Sequence, residues 1–195
     1  MSRGDILLGD DGKGRCGWVG TAPEYIRYHD HEWGHPMHGD QRLYEKMCLE
    51  GFQAGLSWIS ILRRRDGFRE VFHGFDPQRV AALSPADVEV LMHDTRIIRN
   101  RAKIEATINN ARVTLELTAA DPGALDRLIW SFAPAPRQKP LASLAEVPAL
   151  TAESTAMSKA LRKLGYGFVG PTTMYALMQA GGMVDDHVAG CWKAA

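Results

Sequence analysis

One carboxylate interrupts an apolar helical stripe in the first third of the chain. Glu50 lies three residues after Met47 on the face that begins at Leu43, and the glycine-rich apolar segment 51–58 follows it. A carboxylate on such a face is costly to bury unless hydrogen-bond donors or a cation compensate its charge. Glu50 therefore either points into a pocket and recognises a ligand, or stands where the helix ends and turns to solvent.

Aromatic residues are concentrated near the amino end of the chain. Within sixteen residues the sequence contains Trp18, Tyr25, Tyr28 and Trp33, and Trp58 follows later. Aromatic planes with hydroxyl groups suit a pocket that stacks a flat heterocycle, and their ring faces also attract cations. The alternative is ordinary core packing, because Tyr25 and Tyr28 are three residues apart and can share one helix face.

Cysteine and histidine residues with the spacing of metal ligands lie near both ends of the chain. His187 and Cys191 are four residues apart, so on a helix they face the same way. With Cys16 and His29 they make a closed Cys₂His₂ set, typical of a structural zinc because a catalytic zinc keeps one position open. The alternative is four residues with no common role. Three nearby histidines compete with His29: His31, His35 and His38.

A glycine-rich turn between two predicted helices is a candidate phosphate-binding site. The segment 164–173 contains Gly165, Gly167 and Gly170, and Pro171 opens the next helix. Backbone amides at such a turn and helix start point outward, as phosphate binding requires. The basic residues upstream, Lys159, Arg162 and Lys163, favour this interpretation. A simple corner between helices without a ligand is the alternative.

The elements that position these residues are predicted to be helices. Asp40 is a cap for the Glu50 helix, Ser84 caps another, and Ile97 to Leu115 form the stripe of a long helix. Further helices are expected to begin at Asp121-Pro122 and at Ser154 or Thr155. Alternating strand patterns are missing, so the predicted fold class is all-α. Residues 1–14 are expected to be a flexible leader, and the proline-rich segment 134–140 a connection within one domain spanning 15–195.

The amino-acid composition limits the classes of protein to which this chain can belong. The chain has 195 residues, equal numbers of basic and acidic residues at 23 each, and 45% apolar residues, as a globular domain does. No apolar run is long enough to span a membrane, so a soluble cytoplasmic protein with no membrane partner is expected. Zero net charge argues against binding nucleic acid through a basic tail, but it is compatible with a local basic face on the protein surface. Three cysteines argue against a disulfide framework.

Several motifs in order resemble the 3-methyladenine DNA glycosylase I family, a branch of the helix-hairpin-helix DNA glycosylases. The matching segments are Arg15-Cys16-Gly17-Trp18, Tyr28-His29-Asp30-His31-Glu32-Trp33-Gly34, Leu49-Glu50-Gly51-Phe52-Gln53-Ala54-Gly55-Leu56-Ser57-Trp58, Trp130-Ser131-Phe132, Gly167-Phe168-Val169-Gly170 and Asp186-His187-Val188. They extend over nearly the whole chain after the leader.

This resemblance implies a role for each candidate residue. It implies that Glu50 is the catalytic residue and that Glu50 and Tyr28 hydrogen-bond the excised base. It also implies that Trp58 and Trp18 stack beside the base and that Tyr25 lines the pocket. Leu56 would fill the gap left by a flipped nucleotide, and the hairpin of Gly167, Phe168, Val169 and Gly170 would hold the DNA backbone. One structural Zn²⁺ per chain would be bound by Cys16, His29, His187 and Cys191.

The resemblance also implies the reaction and its partners. It implies a helix-hairpin-helix fold of two helical lobes with the pocket between them and the chain ends joined by zinc. The enzyme would be a monomer that hydrolyses 3-methyladenine from alkylated double-stranded DNA in base excision repair. Bifunctional relatives carry a lysine after the hairpin where this chain has Pro171 and two threonines, so a monofunctional enzyme is expected.

The same comparison leaves two questions open. Asp185 stands where the wider superfamily has a catalytic aspartate, so it is a second candidate after Glu50. Two other classes of protein also fit the motifs: a non-catalytic module that binds nucleic acid, and a hydrolase whose zinc is catalytic.

Overall fold

The structure is a computed structural model that describes residues 4–194, and helices dominate it. A two-stranded antiparallel sheet precedes them. The elements in chain order are β1 (Ile6–Leu8), β2 (Gly14–Cys16), α1 (Pro23–His31), α2 (Asp40–Gln53), α3 (Trp58–Leu62), α4 (Arg65–Val71), α5 (Pro77–Ala81), α6 (Pro85–Leu91), α7 (Arg101–Thr118), α8 (Ala124–Trp130), α9 (Ala152–Lys163) and α10 (Pro171–Ala180). The prediction of a helical fold is confirmed, with this small sheet as an addition.

The strand pair lies mostly within the segment 1–14 that was predicted to be a flexible leader. Ile6 pairs with Cys16 and Leu8 with Gly14, so much of the described part of the segment 1–14 belongs to a hairpin. The glycines that suggested a loose segment serve this hairpin and its packing. A Cβ added at Gly14 would lie 2.6 Å from the Gly190 carbonyl oxygen, so the missing side chain lets the hairpin approach the carboxyl end. Residues 1–3 lie outside the described part.

Helix α2 is the element that positions most of the predicted site. It packs against α3, α7, α8 and α10, and residues 43–44 and 46–52 are buried. Its core side includes Tyr44 and Phe52, and Phe52 packs on Phe68 with ring centroids 4.6 Å apart. Because α2 is enclosed on several sides, the polar side chains on its buried face must find partners inside the protein.

Helix boundaries follow the predicted caps in some places and shift in others. Ser84 caps α6 in a reciprocal capping box with Asp87, as predicted. Helix α9 instead begins after Thr151, whose hydroxyl accepts from the Ser154 amide, so Ser154 is the third helical residue. Helix α8 begins at Ala124 because Gly123 takes a left-handed conformation, which places the helix start after Asp121-Pro122.

The proline-rich segment 134–140 is non-helical, as predicted, and leads into a contact with the carboxyl end. Leu141 pairs with Val188 in a parallel bridge, and the Ala189 amide donates to the Leu141 carbonyl at 2.8 Å. The segment therefore fixes the position of residues 185–191. Within residues 4–194, no helix combines the length and the apolar character needed to cross a bilayer.

Asp40 links α2 to α8, which yields a test of the fold. Its carboxylate accepts from the Gly123 amide at 2.7 Å and from the Asp126 amide at 2.9 Å. Asp40→Ala should lower the free energy of unfolding by about 1–2 kcal/mol, because the first amides of α8 lose their acceptor. Asp66→Ala is the matched control, since the Asp66 side chain is 94% exposed. Equal midpoints for the two variants in urea unfolding would contradict this role of Asp40.

Candidate active site

Glu50 lines a cavity of about 390 Å³ and is itself 4% exposed. Helix α2 continues past it to Gln53, so the alternative of a solvent-facing carboxylate at the helix end is wrong. The cavity is lined by all four predicted base-contacting aromatics, which are Trp18, Tyr25, Tyr28 and Trp58. The carboxylates of Glu50 and Asp186 also line it. The aromatic cluster therefore forms a cavity wall as well as core.

The aromatic side chains come from three short elements around the cavity. Trp18 lies on a 3₁₀ turn, Tyr25 and Tyr28 on α1, and Trp58 opens α3. The Tyr28 and Trp58 rings are 5.4 Å apart at a tilted angle, and Trp18 meets Tyr25 edge-on at 5.5 Å. The Trp58 indole N–H is buried and has no hydrogen-bond partner among the described residues. The site therefore offers flat apolar surfaces together with an available donor.

The sequence analysis missed Lys46, one turn before Glu50. Its ammonium lies 2.8 Å from Glu50 Oε1, donates to the Tyr28 hydroxyl at 3.0 Å and sits 3.6 Å from the centre of the Trp58 ring. Burial raises the pKa of Tyr28 well above its ordinary value, so this phenol keeps its proton. The i, i+4 spacing of a lysine and a glutamate on one helix was the available signal.

Asp185 and Asp186, which are adjacent near the carboxyl end, have different surroundings. Asp186 faces the cavity, is buried, and accepts from the Tyr175 hydroxyl at 2.6 Å and from Gln179 Nε2 at 2.8 Å. Asp185 instead accepts from His187 Nδ1 at 2.7 Å. The two carboxylates therefore have different partners although they are adjacent in the chain. The cavity-facing acid is therefore Asp186 rather than the second candidate, Asp185.

Three of the four predicted metal ligands are brought together by the fold. One ligand atom each from Cys16, His29 and Cys191 lies within 4.8 Å of the others, and all three residues are buried. Cys191 Sγ is 3.4 Å from His29 Nε2. The hydrogen bond with Cys16, and after it that with His29, lowers the pKa of Cys191. The same hydrogen bond between the two thiols, followed by burial, raises the pKa of Cys16.

His187 lies next to this group, although not by the predicted route. Residues 185–191 are not helical, so the prediction that His187 and Cys191 share a helical turn is wrong. Gly190 has a φ of 87° and breaks any regular helix there. The His187 and His29 rings are nevertheless 5.0 Å apart. His187 Nε2 is buried and has no hydrogen-bond partner in the described part of the chain.

A buried ion pair between β2 and α1 lies beside these residues, and a hydrogen bond from Trp192 ties it to the carboxyl end. Arg15 donates to both Asp30 oxygens, at 3.0 Å from Nε and 2.7 Å from Nη2, and Trp192 donates to Asp30 at 3.2 Å. Burial raises the pKa of Asp30, but hydrogen bonds from Arg15, His29 and Trp192 outweigh it and hold the pKa below its ordinary value. Asp30 therefore stays ionised and orients His29.

The predicted DNA-contacting residues lie at the carboxyl end of α2. Leu56 follows Gly55, whose φ is 82°, and its side chain is 44% exposed. Phe168, between α9 and α10, is 40% exposed, whereas Val169 is buried. A Cβ added at Gly51 would lie 3.1 Å from the Phe168 Cβ, so the turn 167–170 packs directly on α2. The two exposed apolar side chains thus flank one helix end.

The Gly167 amide has a partner inside the protein. It donates to Asn110 Oδ1 at 2.7 Å, and Asn110 donates back to the Gly167 carbonyl at 3.1 Å. This amide therefore fixes the turn and is not available to a phosphate. Arg162 lies near the other end of the turn, 3.6 Å from where a Cβ on Gly170 would be.

Comparison with known proteins identifies the family of this chain. The family described as methyladenine glycosylase matches residues 18–194. The chain belongs to the methyladenine glycosylase family. DNA-3-methyladenine glycosylase 1 of Escherichia coli (strain K12) is 49% identical over 178 residues, which cover 91% of this chain and 95% of that protein.

Solved structures of the methyladenine glycosylase family share the fold. A crystal structure of 3-methyladenine DNA glycosylase I is 47% identical with a TM-score of 0.89, and the match covers 93% of this chain and 100% of that chain. A variant of 3-methyladenine DNA glycosylase I in complex with 3-methyladenine is 31% identical with a TM-score of 0.83, over 91% and 96% of the two chains.

The buried ion pair of Arg15 and Asp30 predicts a large effect on stability. Arg15→Met would leave Asp30 as a buried charge without its cation, which should lower the free energy of unfolding by about 3 kcal/mol. Arg63→Met is the control, because Arg63 pairs with Glu24 at the surface and should contribute less than about 1 kcal/mol. Chemical denaturation at neutral pH measures both. Similar losses in the two variants would show that Asp30 does not depend on Arg15.

Proposed function

We propose that the protein is a DNA-3-methyladenine glycosylase that hydrolyses the N-glycosidic bond of 3-methyladenine in alkylated DNA, as a step of base excision repair. The observation that carries this proposal is the buried Glu50 carboxylate in an aromatic cavity beside Tyr28 and Trp58. Membership of the methyladenine glycosylase family supports the same activity.

The chemistry of the substrate explains why such a cavity suffices. Methylation at N3 makes the adenine ring cationic, which weakens the glycosidic bond and gives a leaving group that needs no protonation. Recognition of the cation can therefore replace acid catalysis. A buried carboxylate and indole faces favour a cationic base over neutral adenine. Water is the nucleophile in hydrolysis, so no amine nucleophile is required. The reaction then ends with release of the base.

We assign the base-binding roles to the residues that share this cavity. Glu50 and Tyr28 are the hydrogen-bonding partners of the base, Trp58 and Trp18 stack beside it, and Tyr25 holds α3. The Tyr25 hydroxyl accepts from the Ile59 amide at 2.9 Å, which supports a positioning role. The cavity lies between α1–α3 on one side and α10 with residues 144–147 on the other, as two helical lobes would place it.

The DNA contacts are assigned to the exposed end of α2 and the adjoining hairpin. Leu56 is the proposed wedge that fills the space of the flipped nucleotide, because it is exposed on a turn next to Glu50. The turn of Gly167, Phe168, Val169 and Gly170 is the proposed contact to the DNA backbone, in the manner of a helix-hairpin-helix motif. The phosphate-facing part begins at Phe168, since the Gly167 amide already has its acceptor.

The residues at the chain ends fit a structural zinc ion. Cys16, His29 and Cys191 converge, and His187 supplies an unpartnered buried Nε2 beside them. The Asp30 carboxylate accepts from His29 Nδ1, and the Asp185 carboxylate accepts from His187 Nδ1. Both histidines therefore keep Nε2 for a metal. A closed Cys₂His₂ set would hold zinc without an open position, so its contribution would be to stability.

The reaction is tested by base release from methylated DNA. Glu50→Gln should lower kcat/KM for 3-methyladenine release by about 10²-fold or more, because the charge that favours the cationic base is removed. Glu105→Gln is the control, since Glu105 is an exposed carboxylate on α7. Chromatography of the released bases measures both.

Three results of this assay would contradict the assignments. Unchanged release by Glu50→Gln would remove Glu50 from the mechanism. Release of 7-methylguanine as readily as 3-methyladenine would contradict the narrow specificity. Tight binding of methylated DNA by the unmodified protein without any free base would instead favour a non-catalytic binding module.

Metal content tests the zinc proposal separately. Cys191→Ala should abolish stoichiometric zinc and lower the thermal midpoint, because a structural site contributes folding free energy. Cys48→Ala is the matched control, since Cys48 is also buried but belongs to the main core. Elemental analysis and thermal melts give the two measurements. Full zinc retention by Cys191→Ala would refute this ligand set, and loss of turnover without loss of stability on chelation would indicate a catalytic zinc.

A further inference from the structure

A buried ammonium group contacts three side chains of the base cavity at once. Lys46 is 6% exposed, and its Nζ lies near Glu50 Oε1, the Tyr28 hydroxyl and the Trp58 ring, at the distances given above. Because an ammonium can only donate, the Tyr28 oxygen accepts from it. The Tyr28 hydroxyl proton and the second oxygen of Glu50 are then left for the base.

Lys46 reaches these groups from behind the cavity wall. It lines a second, smaller cavity of about 100 Å³, and Tyr28 and Trp58 line both cavities. The two aromatic side chains therefore separate the base cavity from the space that holds the Lys46 ammonium. A cation on this side acts on the base through the wall, by pairing with Glu50 and by occupying the electron-rich region of the indole.

The charges around Lys46 make Glu50 its counter-ion. The charged and titratable groups that face these two residues from the surrounding elements are Tyr25, Tyr28, Glu32, Arg42, Glu45, Arg65, Arg69 and Asp186. Glu32 binds Arg65, and Glu45 binds Arg69. Asp186 is likewise bound to Arg137. Glu50 is the remaining carboxylate in this group, and it is the one in direct contact with Lys46.

We propose that Lys46 is a positioning residue that keeps the Glu50 carboxylate ionised and aimed at the base, and that it fixes Tyr28 as a hydrogen-bond donor. This inference rests on the proposed function, because it concerns the same cavity. Without the ammonium, Glu50 would be a buried carboxylate lacking a cation, and such a group takes up a proton at higher pH than a paired one. Burial lowers the pKa of Lys46, and the contact with Glu50 opposes this shift, so the ammonium depends on Glu50 in turn.

The pH dependence of base release tests this role. In Lys46→Met the acid limb of kcat/KM for 3-methyladenine release should move upward by about 1–2 pH units. Lys46→Arg keeps the positive charge and should restore the limb close to its original position. In the background of Glu50→Gln, Lys46→Met should have little further effect, because the two residues act as one unit.

The outcomes separate this proposal from the proposed function. If the unmodified protein releases no 3-methyladenine, the function itself is wrong. The unmodified protein can instead be active while Lys46→Met lowers kcat/KM by the same factor at every pH. If Lys46→Met also lowers kcat/KM by that factor in the background of Glu50→Gln, Lys46 has only a structural role and the proposal is overturned. Lys46→Gln, which is neutral and able to hydrogen-bond, is measured in parallel and is predicted to show the same displaced limb if Lys46→Met does not fold.

Discussion

The burial of one carboxylate is the constraint around which the site is built. Glu50 sits on a helix enclosed by four others, where an unpaired negative charge would be very costly. The protein compensates it with Lys46 from the preceding turn, and this lysine in turn needs Tyr28 and Trp58 as partners. The same contacts that make burial of Glu50 tolerable therefore assemble the walls of the aromatic cavity. Burial of the charge and the shape of the cavity depend on one group of interactions.

The second organising feature is the contact between the two ends of the chain. Asp30 receives hydrogen bonds from Arg15, His29 and Trp192, which come from β2, α1 and the carboxyl end. Asp30 is two residues after Tyr28 on α1, so these hydrogen bonds fix the position of α1 beside the cavity. The bridge between Leu141 and Val188 holds Asp186 at the other side. Contacts between segments far apart in the chain therefore fix the residues on two sides of the cavity.

Much of the fold could be predicted because it rests on local signals. Ser84 with Asp87 is a capping box readable from four residues, and the stripe of α7 is a simple period. The strands of residues 6–8 and 14–16 could not be predicted in this way. They are too short to show alternation, and they are stabilised by packing against Gly190 at the far end of the chain. The proposed helix at residues 187–191 failed for a similar reason, since pairing with Leu141 determines that segment.

The sequence by itself determined the helical class, the candidate carboxylate, the aromatic cluster and the resemblance to a family, because residue types and local spacing carry that information. Only the tertiary structure decided that Glu50 faces inward, that Lys46 is its counter-ion and that Asp186 rather than Asp185 faces the cavity. The physical reason is that the free energy of a buried charge depends on the partners that long-range packing brings to it. Those partners come from elements far apart in the chain, and no local pattern specifies their distances.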